Sequence, residues 1–152
     1  MYNLLIKNGK IVTSEETLVN TDILIDGGKI SEVMPNINID GYYTIDATDK
    51  IIIPGLIDMH CDICEPGYEY RESLVTASLS AARGGFTTIT CSPNTLPSID
   101  NKTVVEYIKT KSEIDAVTHL FPYGSLTKEC KGTELTEYGE MQLSGIVALS
   151  DG

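Results

Sequence analysis

The chain has 152 residues, with 41% hydrophobic and 22% charged side chains, which is ordinary for a folded globular protein and long enough to bury a core. Against 22 acidic residues stand 11 basic ones, a net charge of −11 with the lysines and arginines scattered singly, and this argues against a nucleic-acid partner. No run approaches the roughly 20 apolar residues that span a bilayer, and MYNLLIKNGKIV at the start lacks a signal-peptide core, so no membrane association is expected and the cytoplasm is the expected compartment.

Residues 1–50 read as short strands joined by tight turns. Leu4 to Lys7, Lys10 to Val12, Thr21 to Ile25, Lys29 to Val33 and Tyr42 to Asp46 carry the β-favouring residues, with Asn8-Gly9 and Asp26-Gly27-Gly28 as hairpin signals. A small antiparallel β module is expected here, and a second region, 51–152, follows it.

From Ile51 onward, strands alternate with helices. Ile51 to Asp62 reads as a buried strand, Glu72 to Arg83 as a helix stopped by Gly84-Gly85, and Phe86 to Cys91 as a β-branched strand ending in Ser92-Pro93-Asn94. A second helix starts near Asp100 as its cap, a third strand spans about Val117 to Phe121, a third helix follows Gly132, and Ile146 to Leu149 forms a fourth strand. This alternation predicts βαβ units and a parallel sheet. Four strands neither close a barrel nor cover a sheet on both faces, so a fragment of a larger fold is expected.

In parallel α/β folds, functional groups gather at the C-terminal strand ends. Four such ends are visible: His60-Cys61-Asp62, Ser92 to Thr95, Tyr123-Gly124-Ser125 and Ser150-Asp151-Gly152. Side chains alternate along a strand, so Asp58, His60 and Asp62 should share one face and Met59 and Cys61 the other. Imidazole nitrogen and carboxylate oxygen both bind zinc, which makes His60 and Asp62 half of a metal site, with Asp151 and Asn94 at the same mouth. A hydrogen-bonded structural pair is the plainer reading of His60 and Asp62, and a turn cap that of Asn94 and Asp151. Cys61 and Cys64 form a CxxC without a second ligand pair, which favours ordinary thiols, with Cys64 lining the pocket. His119, inside the third strand, reads as a structural histidine.

At these residues the chain resembles the dihydroorotases of the cyclic amidohydrolase superfamily, and specifically their N-terminal half. The likeness runs through PGLIDMH (Pro54 to His60), EPGYEYRES (Glu65 to Ser73), AARGGFTT (Ala81 to Thr88), PNTLP (Pro93 to Pro97), SLTKECKG (Ser125 to Gly132) and Asp151-Gly152. The resemblance implies an incomplete (β/α)8 TIM barrel of about four strands, preceded by a small antiparallel β-sandwich module. It further implies one or two zinc ions, and the opening or closing of a cyclic amide: dihydroorotate against N-carbamoyl-aspartate, in pyrimidine biosynthesis. By that pattern His60 is the first metal histidine, Asn94 binds substrate, and Asp151 stands at the acidic ligand position.

Two positions depart from the family pattern. Asp62 replaces the second metal histidine, and Cys64 replaces the arginine that grips the substrate carboxylate, although cysteine has neither the charge nor the bidentate fork. The family's later histidines and its general-base aspartate lie on strands five to eight, so no catalytic group is expected within these residues. Two alternatives follow. One is a noncatalytic dihydroorotase-like partner, for instance of aspartate transcarbamoylase, or a homo-oligomer; the other is a related enzyme such as an allantoinase or hydantoinase.

Overall fold

Proline has no backbone N–H to give a strand ladder, and the apolar run beginning at Ile51 breaks at Pro54. The computed structural model describes residues 3–152, and the chain divides there into two units, Met1–Pro54 and Gly55–Gly152.

The first unit is one five-stranded sheet of β1 (Leu4–Val12), β2 (Thr17–Asp26), β3 (Lys29–Met34), β4 (Tyr43–Asp46) and β5 (Ile51–Ile52). The first three strands form an antiparallel meander, but β4 and β5 pair parallel to β1. This corrects the all-antiparallel expectation. Residues 35–42 form a crossover that returns the chain to the far side of β1, where it must run in the same direction as β1. Buried Asp22 anchors that crossover, accepting from the backbone N–H of Ile37 at 2.9 Å and of Asn8 at 2.8 Å. Ile37 itself packs with Leu5 and Leu24.

Asn8-Gly9 is not the hairpin that its composition suggests. It is an irregularity inside the single strand β1, with Asn8 at φ 62°, and a Cβ on Gly9 would lie 2.2 Å from the Ile52 side chain. The turn at Gly27-Gly28 has both residues at positive φ, as the sequence predicts.

In the second unit β6 (Leu56–Cys61), β7 (Phe86–Cys91), β8 (His119–Gly124) and β9 (Ala148–Leu149) lie parallel, in the order in which they occur along the chain. Between them run α1 (Leu74–Arg83), α2 (Lys102–Asp115) and α3 (Tyr138–Ser144), with a short 3₁₀ turn, Lys128–Cys130, before α3. Ser73 caps α1 in a reciprocal box with Thr76. Asn101 rather than Asp100 caps α2; Asp100 instead accepts from the backbone N–H of Glu129 at 3.1 Å.

One core cluster joins Leu74 of α1, Val104, Val105 and Ile108 of α2, Met141 of α3, Ile89 and Cys91 of β7 and Leu120 of β8. All three helices therefore cover one face of the sheet. Burying each large apolar side chain there contributes about 1.5–3 kcal/mol. Ile57, Met59 and Phe121 remain exposed within this unit, so β6 is not the fully buried strand that its composition suggests. Sequential strand order with a single helical layer is the barrel-type arrangement; a doubly wound sheet would reverse its order. No helix among the described residues is long and apolar enough to cross a membrane.

Candidate active site

The end of β6 decides where its functional groups point. Asp58 pairs with Ile89 and Cys61 with Cys91, so β6 takes three steps where β7 takes two. One extra residue in a parallel ladder is a bulge, and it interrupts the alternation of faces. Cys61 consequently faces the helix side together with Asp58, packed against the core that holds Cys91. The simple alternation expected for Asp58 to Asp62 does not hold. Burial, helped by a hydrogen bond to Asp58 and the nearby Asp58 and Asp62 charges, pushes the Cys61 thiol up to about 11. Burial chiefly pushes Cys91 up to about 12. Both are protonated thiols at neutral pH, and neither is a ready nucleophile.

Beyond the strand, the Asp62 carboxylate accepts from the Ser92 hydroxyl at 2.5 Å, tying the ends of β6 and β7 together. Asp58, Cys61, Asp62 and Glu72 line a cavity of about 270 Å³ against α1, and His60 is not among its lining residues. The imidazole of His60 is exposed, and its backbone N–H donates to the Asp58 carboxylate at 3.0 Å. Cys64 is buried, stands at φ 62°, and points its thiol at the carbonyl of Asp62 at 3.7 Å. A non-glycine residue in that left-handed region is uncommon and costs on the order of 1 kcal/mol or more.

Glu65, next in the chain, is a buried carboxylate that accepts from the backbone N–H of Leu74 at 2.8 Å and lies 3.5 Å from the Lys111 ammonium. It fixes the loop after β6 to the start of α1 and to α2. Gly67 continues that loop against the loop after β7, where Leu96 N–H donates to the Pro66 carbonyl at 2.8 Å.

The ends of β7 and β9 also meet. Asn94 is exposed, and a Cβ on Gly152 would fall 2.9 Å from its amide nitrogen. Asp151 accepts from Thr127 twice, from the backbone N–H at 2.9 Å and from the hydroxyl at 2.7 Å. Those two donors hold its carboxyl below the usual carboxylate range. Ser92, which sets Asp62, is named by sequence only as part of the strand end after β7, and Thr127, which sets Asp151, is not singled out at all. A hydroxyl at a strand end carries little signal of its own, and only the fold reveals its partner.

The structure thus brings Asn94 next to the Asp151-Gly152 end and holds Asp62 against Ser92. Among the described residues, no three His, Cys, Asp or Glu side chains converge closely enough to hold a metal ion. The donor chemistry of His60, Asp62 and Asp151 still suits zinc, because ligating carboxylates are commonly fixed by hydrogen bonds of the kind Ser92 and Thr127 provide. These residues have donor groups of the types zinc takes, and among the described residues they do not converge on one point.

A profile of the family described as Dihydro-orotase-like matches residues 49–152. A dihydroorotase from Ruminiclostridium cellulolyticum is 46% identical over 149 residues, covering 97% of this chain and 35% of the relative. One from Acetivibrio thermocellus is 45% identical over 150 residues, again covering 97% of this chain and 35% of the relative. The chain therefore spans about a third of the length of the curated relatives it matches. Among solved structures, L-hydantoinase (dihydropyrimidinase) from Arthrobacter aurescens superposes with a TM-score of 0.86 at 26% identity, covering 98% of this chain and 32% of that one. D-hydantoinase (dihydropyrimidinase) from Thermus sp. gives 0.71 at 28% identity, covering 92% and 30%. The matched residues and the barrel-type order of strands agree, and this chain belongs to the dihydroorotase-like family of cyclic amidohydrolases.

Proposed function

We propose that this chain supplies the N-terminal β module, residues 1–54, and the first strands of the (β/α)8 barrel, residues 55–152, of a dihydroorotase that opens and closes the cyclic amide of dihydroorotate. The observation that carries this reading is the gathering of family-matching strand ends, with Asn94 beside the Asp151-Gly152 terminus of β9. In the proposed enzyme His60, Asp62 and Asp151 would hold zinc together with ligands from outside these residues. Zinc, when bound, lowers the pKa of a bound water to about 7 and polarises a carbonyl. Asn94, whose amide can donate and accept, would orient the substrate's polar ring atoms. Ser92 and Thr127 would position the two carboxylates.

Zinc analysis of the purified full-length protein tests the metal assignment. About one or two equivalents are expected, and less than about a tenth of an equivalent would remove it.

Buried Cys64 favours a second reading, because a thiol directed at a backbone carbonyl gives a substrate carboxylate no cationic partner. In that reading the protein is a noncatalytic dihydroorotase-like partner, of the kind that assembles with aspartate transcarbamoylase or with copies of itself. The double substitution Asp62→His with Cys64→Arg separates the two. Activity in the natural protein supports the enzyme, whereas activity gained only in the double variant supports the partner.

A further inference from the structure

Glu65 is a buried carboxylate in the loop that follows β6, and donors from two helices surround it. The backbone N–H of Leu74, the first residue of α1, lies at 2.8 Å and the Tyr107 hydroxyl of α2 at 3.4 Å. The Lys111 ammonium of α2 lies at 3.5 Å and also holds Asp115 at 2.7 Å. A carboxylate out of water is tolerated only where donors and a counter-charge offset its desolvation, so Glu65 cannot turn away without leaving both.

The next residue carries this anchor across to the neighbouring loop. The Pro66 carbonyl accepts from the Leu96 N–H at 2.8 Å, and Gly67 meets Leu96 so closely that a Cβ would lie 2.2 Å from its carbonyl oxygen. Leu96 stands two residues beyond Asn94, in the loop that follows β7. The N–H groups of Thr95 and Ile99 both donate to the Pro93 carbonyl, at 2.8 Å and 3.3 Å, and shape that loop from within. From this chain of contacts we propose that Glu65 is a positioning residue, whose buried carboxylate fixes the loop after β6 to α1 and α2 and, through Pro66 and Leu96, holds the loop that presents Asn94 to substrate. The last step rests on Asn94 orienting the substrate; the anchor itself does not.

The test compares Glu65→Gln, which keeps an acceptor for Leu74 and removes the charge facing Lys111, with Lys111→Met, which breaks the same pair from its partly exposed side. Hydrogen exchange of the full-length proteins without substrate, read peptide by peptide by mass spectrometry, reports the anchor. Exchange in the segment containing Leu96 is expected to rise about 10-fold in both variants, with β7 and β8 unchanged. No rise at Leu96, or an equal rise in β7 and β8, would overturn the proposal. In the activity arm, kcat/KM for dihydroorotate should fall about 10-fold in Glu65→Gln and no further when Asn94 is already alanine. An undiminished effect of Glu65→Gln in the Asn94→Ala background would overturn it as well. A natural protein that shows the Leu96 response without turnover removes the dihydroorotase reading and supports the anchor.

Discussion

Asp58 and Cys61 face the same side of the sheet although they are three positions apart in β6, because the strand carries one residue more between them than β7 does between their partners Ile89 and Cys91. That insertion takes Cys61 away from the face that simple alternation assigns to it and buries its thiol. Cys61 and Cys91 are therefore expected to alkylate slowly at neutral pH and faster as the pH rises towards about 11 and about 12. An unperturbed thiol near 8.5 would carry on the order of 100-fold more thiolate than Cys61, and on the order of 1,000-fold more than Cys91, in mildly alkaline buffer. Iodoacetamide labelling followed by peptide mapping across pH reads this directly; fast labelling of Cys61 and Cys91 at neutral pH, with no rise as the pH increases, would contradict it.

Ser92→Ala removes the donor that holds the Asp62 carboxylate. Hydrogen bonds to charged groups contribute about 1.5–3 kcal/mol, and the partly open cavity beside Asp62 lets water replace part of that. A loss of about 1 kcal/mol in urea unfolding is expected, with unchanged stability as the contrary result.

Asp151 titrates low because Thr127 donates to it from both backbone and side chain. A depressed folded value means that its contribution to stability is complete above the unfolded carboxylate range, about 3.9, and is lost as pH falls through the lower folded value. Thr127→Val keeps the backbone donor and removes the hydroxyl, so the Asp151 titration should move up towards the ordinary range in a carbon-detected NMR series. No movement would show that the hydroxyl does not set it.

Gly67 stands at φ 100°, and a Cβ there would lie 2.2 Å from the Leu96 carbonyl oxygen. Gly67→Ala must strain the backbone and push apart the loops that follow β6 and β7. A cost above about 2 kcal/mol is expected from denaturant midpoints. At Gly85, also at positive φ but with open space around it, the same substitution meets only the conformational penalty and should cost less.

Much of this architecture could be read from the residues alone. The β-branched run of β7, the glycines after α1 and the turn at Gly27-Gly28 each sit where local chemistry places them. What could not be read was set by partners distant in sequence. Asn8-Gly9 has the composition of a hairpin, yet Asp22 and Ile52 hold it inside β1. The run from Ile51 to Asp62 is mostly apolar up to Ile57, but Pro54 divides it between two sheets, and the bulge near His60 depends on the register with β7. At the strand ends His60, Asp62 and Asp151 are legible in the sequence as donor-bearing side chains. The hydroxyls of Ser92 and Thr127 that set the two carboxylates became visible only with the fold.

Dihydroorotase activity is read most directly in a ring-opening assay of the zinc-supplemented full-length protein with dihydroorotate, followed by loss of the substrate's ultraviolet absorbance, with Asn94→Ala and His60→Ala alongside. Turnover that falls by about 100-fold or more in each variant, while both remain folded, is the predicted result. Absence of turnover in the natural protein under every zinc condition, with activity appearing in the Asp62→His, Cys64→Arg protein, would contradict the enzyme reading.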